Sequence, residues 1–207
     1  MQEPFPVLVH LSVYSEKVSA LPDGFLGGSA PPLRQLDLCN VLYPALPTLL
    51  LSAGNLVNLS LRDIPPTGYI SPEALVAHVA ALLRLEVLDL GLTSFPDPII
   101  SPLMTRTDLP ALRNFTFSGR CKYFEDFISR IDAPQLISMV VYYESGNDFD
   151  VLQLSRFIDR SESLKQSLSG HCKILLSEHD LASSPSPSVS VAPPAHDGTL
   201  NLVSQFV

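Results

Sequence analysis

Leu85-Glu86-Val87-Leu88-Asp89-Leu90 places leucines at the first, fourth and sixth positions of a six-residue run. The last three residues alternate apolar and polar, as a half-buried strand does. The same pattern recurs as Leu8-Leu11-Val13, Leu33-Leu36-Leu38, Leu56-Leu59-Leu61, Leu112-Phe115-Phe117 and Leu136-Met139-Val141. First positions 8, 33, 56, 85, 112 and 136 lie 25, 23, 29, 27 and 24 residues apart. One match would carry no weight, because leucine is common. Six in succession predict six strands, near 8–13, 33–38, 56–61, 85–90, 112–117 and 136–141.

Between the strands the period changes from two to 3.6. Ser71 is a good N-cap and Pro72 suits a first helical position, so a helix is expected from Pro72 to Arg84. Leu75, Val76, Val79, Leu82 and Leu83 then form its apolar face. Pro47 to Ala53 reads as one or two helical turns, and Pro98 and Pro102 argue against a helix between Pro96 and Met104. Phe124, Phe127, Ile128 and Ile131 make a helical stripe within Tyr123–Ile131, and Val151, Leu154, Phe157 and Ile158 do so within Asp150–Arg160. Each helix has one apolar face beside a strand, so neighbouring units must stack to bury it. His171 to Leu176 reads as a seventh strand, beyond which the pattern fades. Residues 181–207 divide into a Ser/Pro-rich loop and a terminal hairpin across Val189–Val203, with Asp197-Gly198 as its turn.

A strand repeat with a period in the twenties indicates a leucine-rich-repeat solenoid. The expected fold is therefore α/β over residues 1–180, with a parallel sheet on the concave side and short helices and loops on the convex side. The pattern's apolar residues point inward, and the residues between them point outward in three rows. These are His10, Gln35, Asn58, Val87, Asn114 and Ser138; then Ser12, Asp37, Ser60, Asp89, Thr116 and Val140; then Tyr14, Cys39, Arg62, Gly91, Ser118 and Tyr142. Such a face, mostly small, neutral and polar, suits recognition of a protein or peptide better than catalysis. Tyr14, Gln35, Asp37, Asn58, Arg62, Asp89, Asn114 and Tyr142 are its candidate partner-binding residues.

Charge narrows the classes. Thirteen Lys and Arg against 21 Asp and Glu give a net charge of −8, which argues against nucleic acid and against a basic membrane-binding patch. The uncharged run Leu38–Leu61 is broken by Pro44, Pro47, Gly54, Asn55 and Asn58, so no membrane span is expected there. The amino terminus lacks a basic segment of signal-peptide type. Cys39, Cys121 and Cys172 are odd in number and far apart, which favours a reducing, intracellular compartment, cytoplasmic or nuclear.

No catalytic, metal or cofactor motif emerges. The histidines at 10, 78, 171, 179 and 196 have no metal-ligand spacing. Adjacent His171 and Cys172 would point to opposite faces of a strand, and Gly27-Gly28 lacks the lysine of a phosphate loop. Asp126, Asp132, Asp148 and Asp150 fall at predicted helix ends and loops, where Asp148 or Asp150 would serve as an N-cap. The sequons at Asn58 and Asn114 lie inside predicted strands, and Ser184-Pro185 and Ser186-Pro187 lie in a loop.

Irregular repeats of this length, with Leu33-Arg-Gln-Leu-Asp-Leu38, Leu112-Arg-Asn-Phe-Thr-Phe117 and Phe157-Ile-Asp-Arg160 before Leu164, resemble the repeat region of mushroom-type fungal F-box proteins. The resemblance implies a substrate-recruiting receptor of a ubiquitin ligase, in which the repeats hold a substrate and an F-box holds the adaptor. No F-box segment precedes residue 5, so adaptor binding is expected only with one upstream. The asparagine that closes regular leucine-rich repeats is also missing, its places taken by Glu16, Val41, Ile64, Thr93, Arg120 and Glu144. The expected function is a protein-interaction module that recruits substrates. The alternative is a truncated structural remnant without a partner, and an enzyme is the least supported reading. The first strand begins close to Met1, so an uncapped amino-terminal edge is expected to drive self-association unless an extension covers it.

Overall fold

Each apolar triplet builds one strand, and each strand starts two residues after the triplet's first member. The computed structural model describes residues 8–22, 25–28, 32–92, 106–144, 150–167 and 173–179. The elements run β1 (His10–Ala20), β2 (Gln35–Leu42), α1 (Leu46–Ser52), β3 (Asn58–Arg62), α2 (Pro72–Val79), β4 (Val87–Leu92) and β5 (Thr107–Asp108). There follow β6 (Asn114–Gly119), α3 (Cys121–Ser129), β7 (Ile131–Asp132), β8 (Ser138–Glu144), α4 (Val151–Arg160), α5 (Glu162–Ser167) and β9 (Lys173–His179). Seven strands make one sheet in the order β1-β2-β3-β4-β6-β8-β9, and β5 pairs with β7 apart from it. Every pairing is parallel. The architecture is thus mixed α/β, with short helices in the connections that parallel strands require.

The late start of the strands has a backbone cause. At the first position of the pattern the chain is still turning: Leu56 N–H donates to Ala53 O, Leu85 to Leu82, Leu112 to Leu109 and Leu136 to Ala133. The next two N–H groups then both donate to a single carbonyl of the preceding unit. Arg34 and Gln35 share Val9 O, Val57 and Asn58 share Arg34 O, and Glu86 and Val87 share Val57 O. Arg113 and Asn114 share Glu86 O, and Ile137 and Ser138 share Arg113 O, all ten bonds measuring 2.7–3.1 Å. The first-position leucines 33, 56, 85, 112 and 136 are therefore buried anchors of a turn, not members of a ladder.

One face of the sheet carries the core. Leu36, Leu38, Leu59, Leu61, Leu88, Leu90, Phe115, Phe117, Met139 and Val141 are at most 1% exposed. They share a continuous apolar cluster with Leu49 and Leu50 of α1, Leu75 and Val79 of α2, Phe124 and Phe127 of α3, and Leu154 and Phe157 of α4. Leu8, just before β1, and Leu11 and Val13 within it only pack against its margin, half-buried. Leu88→Ala is expected to cost about 2–5 kcal/mol, because the side chain is fully enclosed between neighbouring strands and helices. Urea unfolding measures it, and a loss as small as that of an exposed residue would mean that the strand faces are reversed.

Three expectations about the helices are corrected. Helix α2 ends at Val79 rather than Arg84: Leu82 N–H donates to Val79 O, closing a turn that leads into the Leu85 anchor. Leu82 stays buried but Leu83 is 64% exposed and leaves the apolar face. Ile131 is buried, yet it belongs to β7, where it pairs with Thr107. Val151 is exposed, since it opens α4 and so stands at the end of the stripe that Leu154, Phe157 and Ile158 bury. The seventh strand is present as β9, two residues later than expected. His171, Cys172, the segment Pro96–Met104 and the expected hairpin at 189–203 lie outside the described residues.

Candidate functional site: the open face of the sheet

Strand register decides which residues share the uncovered face. Gln35 pairs with Asn58, Asn58 with Val87, Val87 with Asn114 and Asn114 with Ser138, continuing to His10 and Lys173 at the edges. The second row runs Ser12, Asp37, Ser60, Asp89, Thr116, Val140 and Leu175. The third runs Tyr14, Cys39, Arg62, Gly91, Ser118, Tyr142 and Ser177. All eight candidate residues therefore fall on this face. They do not all meet: Tyr14 and Tyr142 are five strands apart, about 24 Å at the usual strand spacing. Asp37, Asn58, Arg62 and Asp89, on three adjacent strands, form its compact centre.

Side chains at that centre are tied to one another. Gln35 Nε2 donates to Asp37 Oδ2 at 2.7 Å. Arg62 Nε donates to Ser60 Oγ at 3.1 Å and stands 3.6 Å from Asp89 Oδ2, and Ser60 Oγ donates to Asp89 at 3.4 Å. Gly91 makes this possible. A Cβ there would come within 3.2 Å of Arg62 Cα and Cγ, so the missing side chain leaves room for the arginine stem across β4. Two further groups keep their hydrogen-bonding capacity: the side-chain amides of Asn58 and Asn114 have no hydrogen-bond partner among the described residues.

Asp89 is not the freely solvated residue that its outward direction suggests. Its side chain is only 29% exposed. Burial raises its carboxyl above the usual range, Arg62 and Ser60 pull the other way, and Asp37 adds to the rise. A carboxyl raised on folding holds its proton more tightly in the folded state, so stability is lost as pH climbs above the ordinary aspartate range. Asp89→Asn is expected to flatten that part of the pH dependence and to be at least as stable as the wild type at neutral pH. Urea midpoints of both proteins at about pH 5 and about pH 7.5 test it. A variant less stable only at the higher pH would reverse the sign.

Two residues of this region escaped the sequence pattern. Asn40 and Asp63 occupy matching positions after β2 and β3 register, with φ of 55° and 51°. Asn and Asp tolerate this left-handed conformation better than other side-chain-bearing residues. Asn40 Nδ2 donates to Ser15 O at 3.0 Å, bonding back to the preceding strand one place before the position where the missing asparagine was sought. Asp63 N–H donates to Gly91 O, and its carboxylate accepts from Cys39 Sγ at 3.6 Å. The available signal was an Asn or Asp seven residues after Leu33 and Leu56. Cys39 makes a poor nucleophile here, since burial and then Asp63 push its thiol up.

The carboxylates expected at helix ends behave differently from one another. Asp150 is indeed the N-cap of α4, accepting from Leu152 N and Gln153 N. Asp126 instead lies within α3 and grips Arg130, while Asp132 in β7 holds Arg160 at 2.7 Å. Asp148 lies outside the described residues. No cluster of three or more potential metal ligands occurs among the described residues, and no helix among them is long and apolar enough to cross a membrane. Comparison with protein-family models, curated proteins and solved structures finds no match to this chain.

Proposed function

We propose that the chain is a leucine-rich-repeat solenoid whose open sheet face recognises another protein, as the substrate-recruiting repeat region of an F-box-type ubiquitin-ligase receptor. The observation that carries the reading is the division of labour across the sheet. Large apolar side chains fill one face under the helices, while the other presents three in-register rows of small polar residues. A helix-covered sheet has no need of amides without a partner among the described residues, nor of an exposed Tyr14 and Arg62 in the same row as a half-buried Tyr142, and tyrosine and arginine dominate protein interfaces energetically. The F-box part of the proposal rests on the repeat resemblance and requires an adaptor-binding segment on the same polypeptide.

The test is capture of partners from native lysate by the wild type and by variants on each face. Tyr142→Ala or Arg62→Ala is expected to weaken retention by about tenfold or more, whereas Glu73→Ala on α2 leaves it unchanged. A partner whose retention depends on Glu73, Arg84 or Glu125 instead would move recognition to the helical side. A protein that retains nothing in either form would favour the structural-remnant alternative.

A further inference from the structure

The three central strands concentrate one sign of charge. Asp37, Asp63 and Asp89 lie on or beside the open face at β2, β3 and β4, against Arg62 as the cation within these three strands. Arg62 is already engaged through Nε with Ser60 and Asp89. Arg34 and Arg113 precede the first row by one residue, at the strand entrances, on the far side of the amides from the aspartates. The middle of the face is thus left with excess negative charge, in keeping with the −8 of the whole chain.

The geometry is specific as well as acidic. Ser60 separates Asp37 from Asp89 in a single row, so the two carboxylates flank it at about 5 Å on each side. The serine is small and only 8% exposed, so nothing stands up between them. In the adjacent row Asn58 and Asn114 sit two strands apart, about 10 Å, with amides that have no hydrogen-bond partner among the described residues. An extended chain crossing the strands covers that distance in about three residues. Each amide could then take one backbone N–H or C=O of the crossing chain, with an intervening side chain directed at the aspartates.

We infer, building on the recognition reading above, that this face takes an extended polypeptide segment of a partner protein carrying a lysine or arginine, whose charge sits over Ser60 between Asp37 and Asp89. Charge complementarity selects the residue type: a carboxylate or phosphate in that place would face two aspartates, while a cation is attracted by both. The amides fix the direction of crossing, and Arg62, held down across Gly91, bounds the site on the side of the third row.

The experiment is selection of a displayed random dodecapeptide library on the full chain, followed by titration of the selected synthetic peptides. Enrichment of Lys and Arg several-fold above the library's frequency is expected. Affinity should fall by about tenfold or more in an Asp37→Asn, Asp89→Asn double variant and by less in either single variant. Retained urea midpoints show that the variants are folded. Enriched peptides without basic residues, whose binding nevertheless depends on Tyr142, would overturn this inference and leave the recognition reading standing. Peptides indifferent to Tyr142→Ala and to both aspartates, or no enrichment at all, would overturn both.

Discussion

Replacing Phe124 with alanine is expected to remove about 3–5 kcal/mol of stability, a large part of what a domain of this size possesses. Phe124 is wholly buried on α3 and touches two strand residues at once, its ring centroid 6.1 Å from Phe115 and 5.3 Å from Phe117. Phe127 sits beside it, 5.5 Å from Phe115. These rings are large, and their neighbours are fixed in a strand on one side and a helix on the other, so little collapse can refill the space. The loss has a ready control in Leu152→Ala on α4: that side chain is 68% exposed, and its removal should cost under about 1 kcal/mol. Urea unfolding followed by circular dichroism compares them. Similar losses would mean that α3 is not clamped onto β6 as described.

The second large effect concerns a buried charge. Arg130 is 5% exposed, and it donates through Nε to both oxygens of Asp126 at 3.1 Å and through Nη2 to Oδ1 at 3.0 Å. Asp126→Ala deletes this carboxylate from beside a buried guanidinium, at an expected cost of about 3–5 kcal/mol. Removing both charges is different. In Asp126→Ala, Arg130→Met the desolvation penalty disappears with the attraction, and most of the loss should return. The pair therefore gives a double-mutant cycle with a large coupling, read from urea unfolding of the four proteins. Additive losses would show that the two side chains do not act as a pair.

Particular residues show what the sequence makes legible and what it hides. The rows of the open face follow from the leucine spacing because a parallel register that aligns Leu36 with Leu59 and Leu88 also aligns Asp37, Ser60 and Asp89. Their mutual bonds do not follow. Arg62 reaches Asp89 across Gly91, where a Cβ would crowd the arginine stem at 3.2 Å, and no spacing rule records a neighbour's missing side chain. Helix α2 reads too long because Leu82 and Leu83 continue the apolar spacing, while the turn that ends the helix is set by the anchor at Leu85. Likewise Asn40 and Asp63 look like ordinary loop residues, since a positive φ belongs to the path of the backbone and not to composition. The ion pairs of Asp126 and Asp132 depend on where α3 and α4 come to rest.

The shared carbonyls at Val9, Arg34, Val57, Glu86 and Arg113 reset the register once per unit, although the units differ in length by up to six residues. From β2 to β8 every difference in length is therefore absorbed between the strands, while β1 alone slips against its neighbour, between Tyr14 and Ser19. For a gene encoding such a chain, the stretch from one anchoring leucine to the next is a natural module of inheritance. Duplicating residues 56–84 would add one strand and three face positions while leaving the alignment of all others intact. Losing one nucleotide triplet within Leu56–Leu59 would instead turn the rest of that strand inside out, exchanging leucines for serine and arginine in the core. Inherited variation in this protein should accordingly accumulate as whole units and as insertions on the helical side, with the strands edited only by substitution.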